Sequence, residues 1–297
     1  MSGQLKEVRE RISSVNNTQQ ITKAMKMVSA AKLKKAQDGI VQMRPYSERL
    51  DAMLKNILSN LDGSADTSLG QEREVKRALV VVITSNKGLC GAFNTNIIKA
   101  AKATIDKKYS DVLNSGNLSV LCIGKKGNEF FRKGYDNINL ISDHMNLFSN
   151  LEFDNVAEIG QFIISNFENG EFDAVDICYG RFKNAGMQFA ESEIFLPVPK
   201  IESKGVSSNS RKDYIFEPGK KELLDELIPT ILKTTLHRYA LDTHASEHGA
   251  RMTAMDKATE NAQEMLTDLK ISYNKARQEA ITKELSEIVG GAAALQG

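Results

Sequence analysis

Residues 11–37 read RISSVNNTQQITKAMKMVSAAKLKKAQ, a stretch with no glycine, no proline and no acidic residue. Stepping through it and its flanks by threes and fours gives Leu5, Val8, Ile12, Val15, Gln19, Thr22, Lys26, Ser29, Leu33, Ala36, Ile40 and Met43. The track resumes at Leu50, Leu54, Ile57 and Leu61. Such spacing is the seam of a helix that packs along another helix. The middle of the seam, Gln19 to Ser29, is polar. Glycine is absent between Gly3 and Gly39, and Pro45 is expected to kink or interrupt the helix unless locally accommodated. A helix of about 55 residues would be roughly 80 Å long at 1.5 Å per residue.

The other end of the chain carries a matching seam, Met252, Met255, Thr259, Ala262, Leu266, Leu269, Tyr273, Ala276 and Ala280. Pro229 is expected near a helix start or at a kink. Gly290-Gly291 reads as a helix stop, followed by a small-residue tip. Two long seams with nothing else to cover them bury each other most economically as an antiparallel coiled coil. The expected segments are a shaft helix over residues 1–60, a compact domain over 73–216, and a second shaft helix over 219–297 that pairs with the first.

The middle segment alternates two periodicities. Ala78–Thr84, Leu118–Ile123 and Ala174–Tyr179 are short apolar runs rich in β-branched residues, as expected of strands buried on both faces. Helical patterns lie near residues 92–108, 125–133 and 154–168, and Gln188–Leu196 reads as a further strand. Alternation of this kind defines an α/β, Rossmann-like domain with a mainly parallel sheet. Asp62–Ser68 reads as a linker and residues 200–212 as a polar, mobile loop.

Lys plus Arg number 39 and Asp plus Glu 38, a net charge of +1 that gives no reason to expect nucleic acid as a partner. No run approaches the roughly 18 apolar residues of a membrane span, and the start, MSGQLKEVRERI, lacks the apolar core of a signal peptide. Cys90, Cys122 and Cys178 are far apart and sit in or beside apolar runs, as buried thiols would. His244 and His248 stand four apart, but without a third ligand or an H-E-x-x-H pattern His237, His244 and His248 read as surface histidines. GLCGAFN, Gly88–Asn94, lies between a strand and a helix where a phosphate could sit. It matches neither G-x-G-x-x-G nor the P-loop pattern, and Ile123-Gly124-Lys125-Lys126-Gly127 fails likewise. Neither a catalytic constellation, a metal site nor a cofactor site stands out.

Three blocks resemble a known family. The run Arg11–Gln37, the block GLCGAFN, and the run SEHGARMTAMDKATENAQEMLTDLKISYNKARQEAITKELSEIVGGAAAL, Ser246–Leu295, are similar to gamma subunits of F-type ATP synthases, in the same order and at the same distances. The resemblance implies a non-catalytic rotor shaft that couples proton flow through the membrane c ring to ATP chemistry on the beta subunits. It implies alpha and beta subunits around the coiled coil, and the epsilon subunit and c ring at the foot. No cofactor and no direct membrane insertion are expected. The expected location is peripheral, on the cytoplasmic face of a bacterial plasma membrane.

The same resemblance suggests contact residues. Lys23, Met25 and Lys26 match positions facing an acidic loop of beta, where an ordinary lysine-rich helix face would otherwise be read. Arg251, Arg277, Gln278, Thr282, Glu284 and Glu287 match positions tied to coupling and to contact with the catalytic ring. Their plainer reading is i, i+4 surface support such as Lys283 with Glu287. Tyr214 and Glu217, in DYIFEP, match the foot near the c ring, or else form an ordinary strand end before Pro218. Family members carry an acid near Asn86, where this chain has Thr84-Ser85-Asn86-Lys87. The rival reading is a small nucleotide-binding α/β enzyme with helical arms for dimerisation, which would bind nucleotide as an isolated chain. A purely structural coiled-coil scaffold would leave the α/β domain unexplained.

Overall fold

The computed structural model describes residues 2–59, 68–198 and 220–296. The elements in order are α1 (Ser2–Ser59), β1 (Ala78–Ile83), α2 (Phe93–Lys108), α3 (Ser110–Asn114), β2 (Leu118–Ile123), α4 (Lys125–Gly134), β3 (Ile138–Ile141), α5 (Phe153–Glu168), β4 (Ala174–Asn184), β5 (Met187–Leu196) and α6 (Lys220–Gln296). The linker and polar loop expected near residues 62–68 and 200–212 lie, but for Ser68, outside the described residues.

The chain divides into two compact units. One contains residues 1–29 and 251–297, the other residues 30–250. In the first, α1 and α6 run antiparallel. Arg9 meets Tyr273, Gln19 meets Gln263, and Thr22 meets Thr259. Every seam position expected on α1 in this unit, from Leu5 to Ser29, and on α6, from Met252 to Ala280, is wholly or partly withdrawn from solvent.

The second unit is built on a five-stranded sheet in the order β3-β2-β1-β4-β5. β1 pairs in parallel with β2 and with β4, β2 in parallel with β3, and β5 antiparallel with β4. All six residues of β1 and of β2 are buried, as expected of strands covered on both faces. One face packs on α5 and α6 through Val81, Ile159, Ile163, Phe167, Leu232 and Leu236. The opposite face packs on α2 and α4 through Val80, Val82, Ile97, Ile105 and Phe131. Leu50 of α1 joins the first core, and Leu33 and Ala36 are buried too.

One expectation about helix ends is overturned, at Gly290-Gly291. Pro229 lies inside α6, which begins at Lys220, one residue from the expected start. Its neighbours Ile228, Ile231 and Leu232 are buried in the core, and that packing outweighs the missing amide. Gly290-Gly291 does not stop α6, which continues to Gln296. Glycine costs about 1 kcal/mol per residue in a helix, and the alanines and leucine that follow are strong helix formers.

Candidate functional site

The first unit presents an uneven surface. Thr22 and Ser29 are buried in the seam, where their hydroxyls replace the apolar residues of an ordinary coiled coil. Lys23 is exposed, Met25 half-buried, and Lys26 half-buried in an ion pair with Asp256 of α6. The two lysines expected at one contact therefore differ: Lys23 points to solvent while Lys26 is engaged within the chain. Around them Ile21, Met27 and Val28 are 59, 61 and 57% exposed. On the helix Lys23 and Met27 flank the seam on one side, and Ile21, Met25 and Val28 on the other. The seam pattern hid these apolar residues, because they fall off its three-four track; their signal was hydrophobicity at positions a two-helix pair leaves wet.

Arg251 is buried, whereas Arg277, Gln278, Thr282, Glu284 and Glu287 are all exposed. Lys283 approaches Glu287 at 3.7 Å, the surface pair expected from the spacing. Carried on at the register of Arg9 and Tyr273, α1 ends at Ser2 opposite the turn holding Ala280. Beyond it every residue from Ile281 to Ala292 is exposed. Ile281, Leu285, Ile288 and Val289 form one apolar stripe there, between 48 and 68% exposed. Tyr214 and Glu217 lie outside the described residues.

In the second unit, the first backbone amides of α4, beside the C-terminal ends of β1 and β2, are taken up by the protein's own groups. At the start of α4, Lys125 N–H donates to Asn86 Oδ1 (3.2 Å), Lys126 N–H to the Ser85 carbonyl (3.1 Å) and Gly127 N–H to Thr84 Oγ1 (2.8 Å). Gly124, at φ +100°, lies so close to Thr84 that a Cβ would stand 2.0 Å from its carbonyl oxygen. Asn94 ties the GLCGAFN turn: its Oδ1 accepts from Ser85 N–H (2.9 Å) and its Nδ2 donates to Ser85 Oγ (2.8 Å) and Cys90 Sγ (3.3 Å). Leu89, at φ +61°, is turned out to solvent and is 64% exposed. α6 is hooked to β4 by Ser246 Oγ donating to the Gly180 carbonyl (2.9 Å) and Gly180 N–H donating to Thr243 Oγ1 (3.2 Å).

The histidines are not on the surface as expected. His248 is buried and His244 half-buried, with their Nε2 atoms 3.1 Å apart and Phe148 stacked on His244. His237 is partly buried against Phe153, and burial lowers its pKa. Helix α6 passes between the α/β core and neighbouring loops here, and that packing removes its histidines from water. Among the described residues no group of three or more His, Cys, Asp or Glu could hold a metal ion, and no helix is long and apolar enough to cross a membrane. Burial pushes the Cys122 thiol up to about 12 and Cys178 up to about 11.

The chain thus combines a two-helix unit with exposed apolar and basic flanks and, joined to it in sequence, an α/β unit on a mainly parallel sheet. The family described as ATP synthase matches residues 4–295. The ATP synthase gamma chain of Cytophaga hutchinsonii is 52% identical over 98% of both chains, and that of Flavobacterium psychrophilum is 52% identical over 99% of both. In fold, the chain is similar to a chain of the Euglena gracilis mitochondrial ATP synthase, in a structure of its OSCP, F1 and c ring, with a TM-score of 0.68 at 21% identity over 99% of this chain and 95% of that one. A chain of the Tetrahymena thermophila central stalk and c ring matches with a TM-score of 0.59 at 23% identity, over 80% of this chain and 99% of that one. The chain belongs to the ATP synthase gamma chain family.

Proposed function

We propose that this chain is the rotating central shaft of an ATP synthase, coupling proton flow through a membrane c ring to ATP synthesis or hydrolysis on beta subunits, and is itself non-catalytic. The observation that carries this is the first unit: a helix pair bearing exposed Ile21, Lys23, Met27 and Val28, with an apolar stripe of α6, Ile281, Leu285, Ile288 and Val289, standing in water. Apolar stripes left in water mark surfaces that another protein covers.

In this reading alpha and beta subunits surround the shaft. Lys23, Met25 and Lys26 meet acidic groups on beta, and Arg251, Arg277, Gln278, Thr282, Glu284 and Glu287 serve coupling and ring contact. Epsilon and the c ring bind the foot, including Tyr214 and Glu217. The working division of the chain is a shaft of residues 1–60 and 219–297 and a foot of residues 73–216, placed peripherally on the cytoplasmic face of a bacterial plasma membrane. Torque arises because the asymmetric shaft contacts the conformations of beta unequally.

The test is co-expression with the cognate alpha and beta subunits, followed by ATPase assay of the purified assembly. The proposal expects a stoichiometric complex whose steady turnover requires this chain. Failure to assemble, with nucleotide bound by the isolated chain, would contradict it.

A further inference from the structure

The seam of the first unit is lined by polar pairs at several levels. Arg9 Nη2 donates to Tyr273 Oη at 2.9 Å, with the guanidinium 5.9 Å from the ring centroid. Gln19 Nε2 donates to Gln263 Oε1 at 2.7 Å. The hydroxyls of Thr22 and Thr259 meet at 2.8 Å, and Lys26 pairs with Asp256. The pairs advance by ten, three and four residues along α1 and retreat by ten, four and three along α6. They are therefore one ladder in a single antiparallel register, about 25 Å long at 1.5 Å per residue.

The apolar residues alone do not define that register. The α6 stripe Met252, Met255, Ala262, Leu266 and Leu269 repeats at threes and fours, so a slip of one heptad lays similar residues on α1. The polar residues do discriminate. A slip of seven toward the C-terminus of α6 would set Arg9 opposite Ala280, Gln19 opposite Lys270, Thr22 opposite Leu266 and Lys26 opposite Gln263. A slip of seven the other way would set Arg9 opposite Leu266 and Thr22 opposite Met252. In both, the buried Thr22 hydroxyl keeps its bond to the Gln19 carbonyl (3.0 Å) but loses its cross-helix partner, and the Arg9–Tyr273 and Lys26–Asp256 pairs are lost. Polar seam residues that hold register at a cost in apolar contact are a known use of such groups in helix pairs.

We propose that Gln19, Thr22, Lys26, Asp256, Thr259 and Gln263 are positioning residues that lock α1 and α6 against axial slip. The polar middle of the α1 seam is then a register device, and Asp256 holds Lys26 to that task. The inference rests on the helix pair alone and stands apart from the identity of any partner.

The experiment uses the full chain with spin labels at Arg11→Cys and Lys257→Cys, exposed positions offset along the pair, and the unlabelled native chain as control for its buried cysteines. The distance between labels is measured by pulsed electron resonance. The locked chain gives one narrow distance. Replacing Gln19, Thr22, Thr259 and Gln263 together by leucine is expected to add a population displaced by up to about 10 Å, the rise of seven residues. Lys26→Asp is expected to broaden the distance and Lys26→Asp with Asp256→Lys to restore it, a rescue that general loss of stability would not give. A single unchanged distance in the leucine variant at native helicity would overturn the proposal. If the leucine variant fails to fold, the charge-swapped pair decides: no broadening in Lys26→Asp, or no restoration in the double variant, overturns it.

Discussion

Burial lifts the Asp242 carboxyl to about 6, with Arg238 and Arg181 pulling down and Glu191 and Glu193 pushing up. Because the folded state holds this proton more tightly than the unfolded chain, the associated stability is full below about pH 4 and is lost as pH rises through about 6. The ionised side chain is thus a net cost at pH 8. Asp242→Asn is expected to stabilise the chain by on the order of 1–2 kcal/mol at pH 8 and by little at pH 4. Thermal melts at the two pH values check it; equal effects at both would contradict the assignment. Gly124 makes the opposite kind of prediction. A side chain there would meet the Thr84 carbonyl at 2.0 Å in a backbone conformation, φ +100°, that L residues rarely adopt. Gly124→Ala should cost about 3 kcal/mol or more in denaturant unfolding. Asp176, fully buried in β4, accepts from Tyr109 Oη (2.8 Å) and from Lys108 Nζ (3.0 Å). Asp176→Ala would leave a buried phenol without its acceptor, and a loss of about 2–4 kcal/mol is expected on the same measurement.

At the scale of elements, the seams and the three buried strands were legible in the sequence because each rests on a periodicity that burial alone imposes. α2, α4, α5 and β5 begin and end within a residue or two of where their patterns place them. β3 was not read, since Ile138–Ile141 is an edge strand of four residues, three half-covered and one exposed, with no strong pattern. The end of α6 was misread at Gly290-Gly291, where local punctuation predicted a stop that strong helix-forming neighbours override. The histidines were misplaced for a related reason: sequence spacing gave their helix face but not the core beneath it. The lysines divide at this scale as well. Lys23 is free for an outside partner, whereas Lys26 is held by Asp256. Lys23→Glu is accordingly expected to impair ATP-driven rotation in the assembled complex with helicity unchanged. Lys26→Glu is expected to broaden the shaft register as well. Normal rotation in the Lys23→Glu, Lys26→Glu double variant would count against the contact.

For the whole molecule, the proposed function divides the work between the two units. In the α/β unit the amides at the start of α4 are taken up by Asn86 and Thr84, and Ser246 ties α6 to Gly180 of β4. The helix pair offers apolar flanks and an uncovered end, the features of a part that works inside another assembly. The central claim is that the chain turns. With the alpha and beta assembly fixed to a surface and a probe attached through Lys107→Cys on the exposed face of α2, added ATP should drive steady rotation of the probe in one direction. ATP turnover by the same assembly with the probe at rest, or turning without direction, would contradict the account.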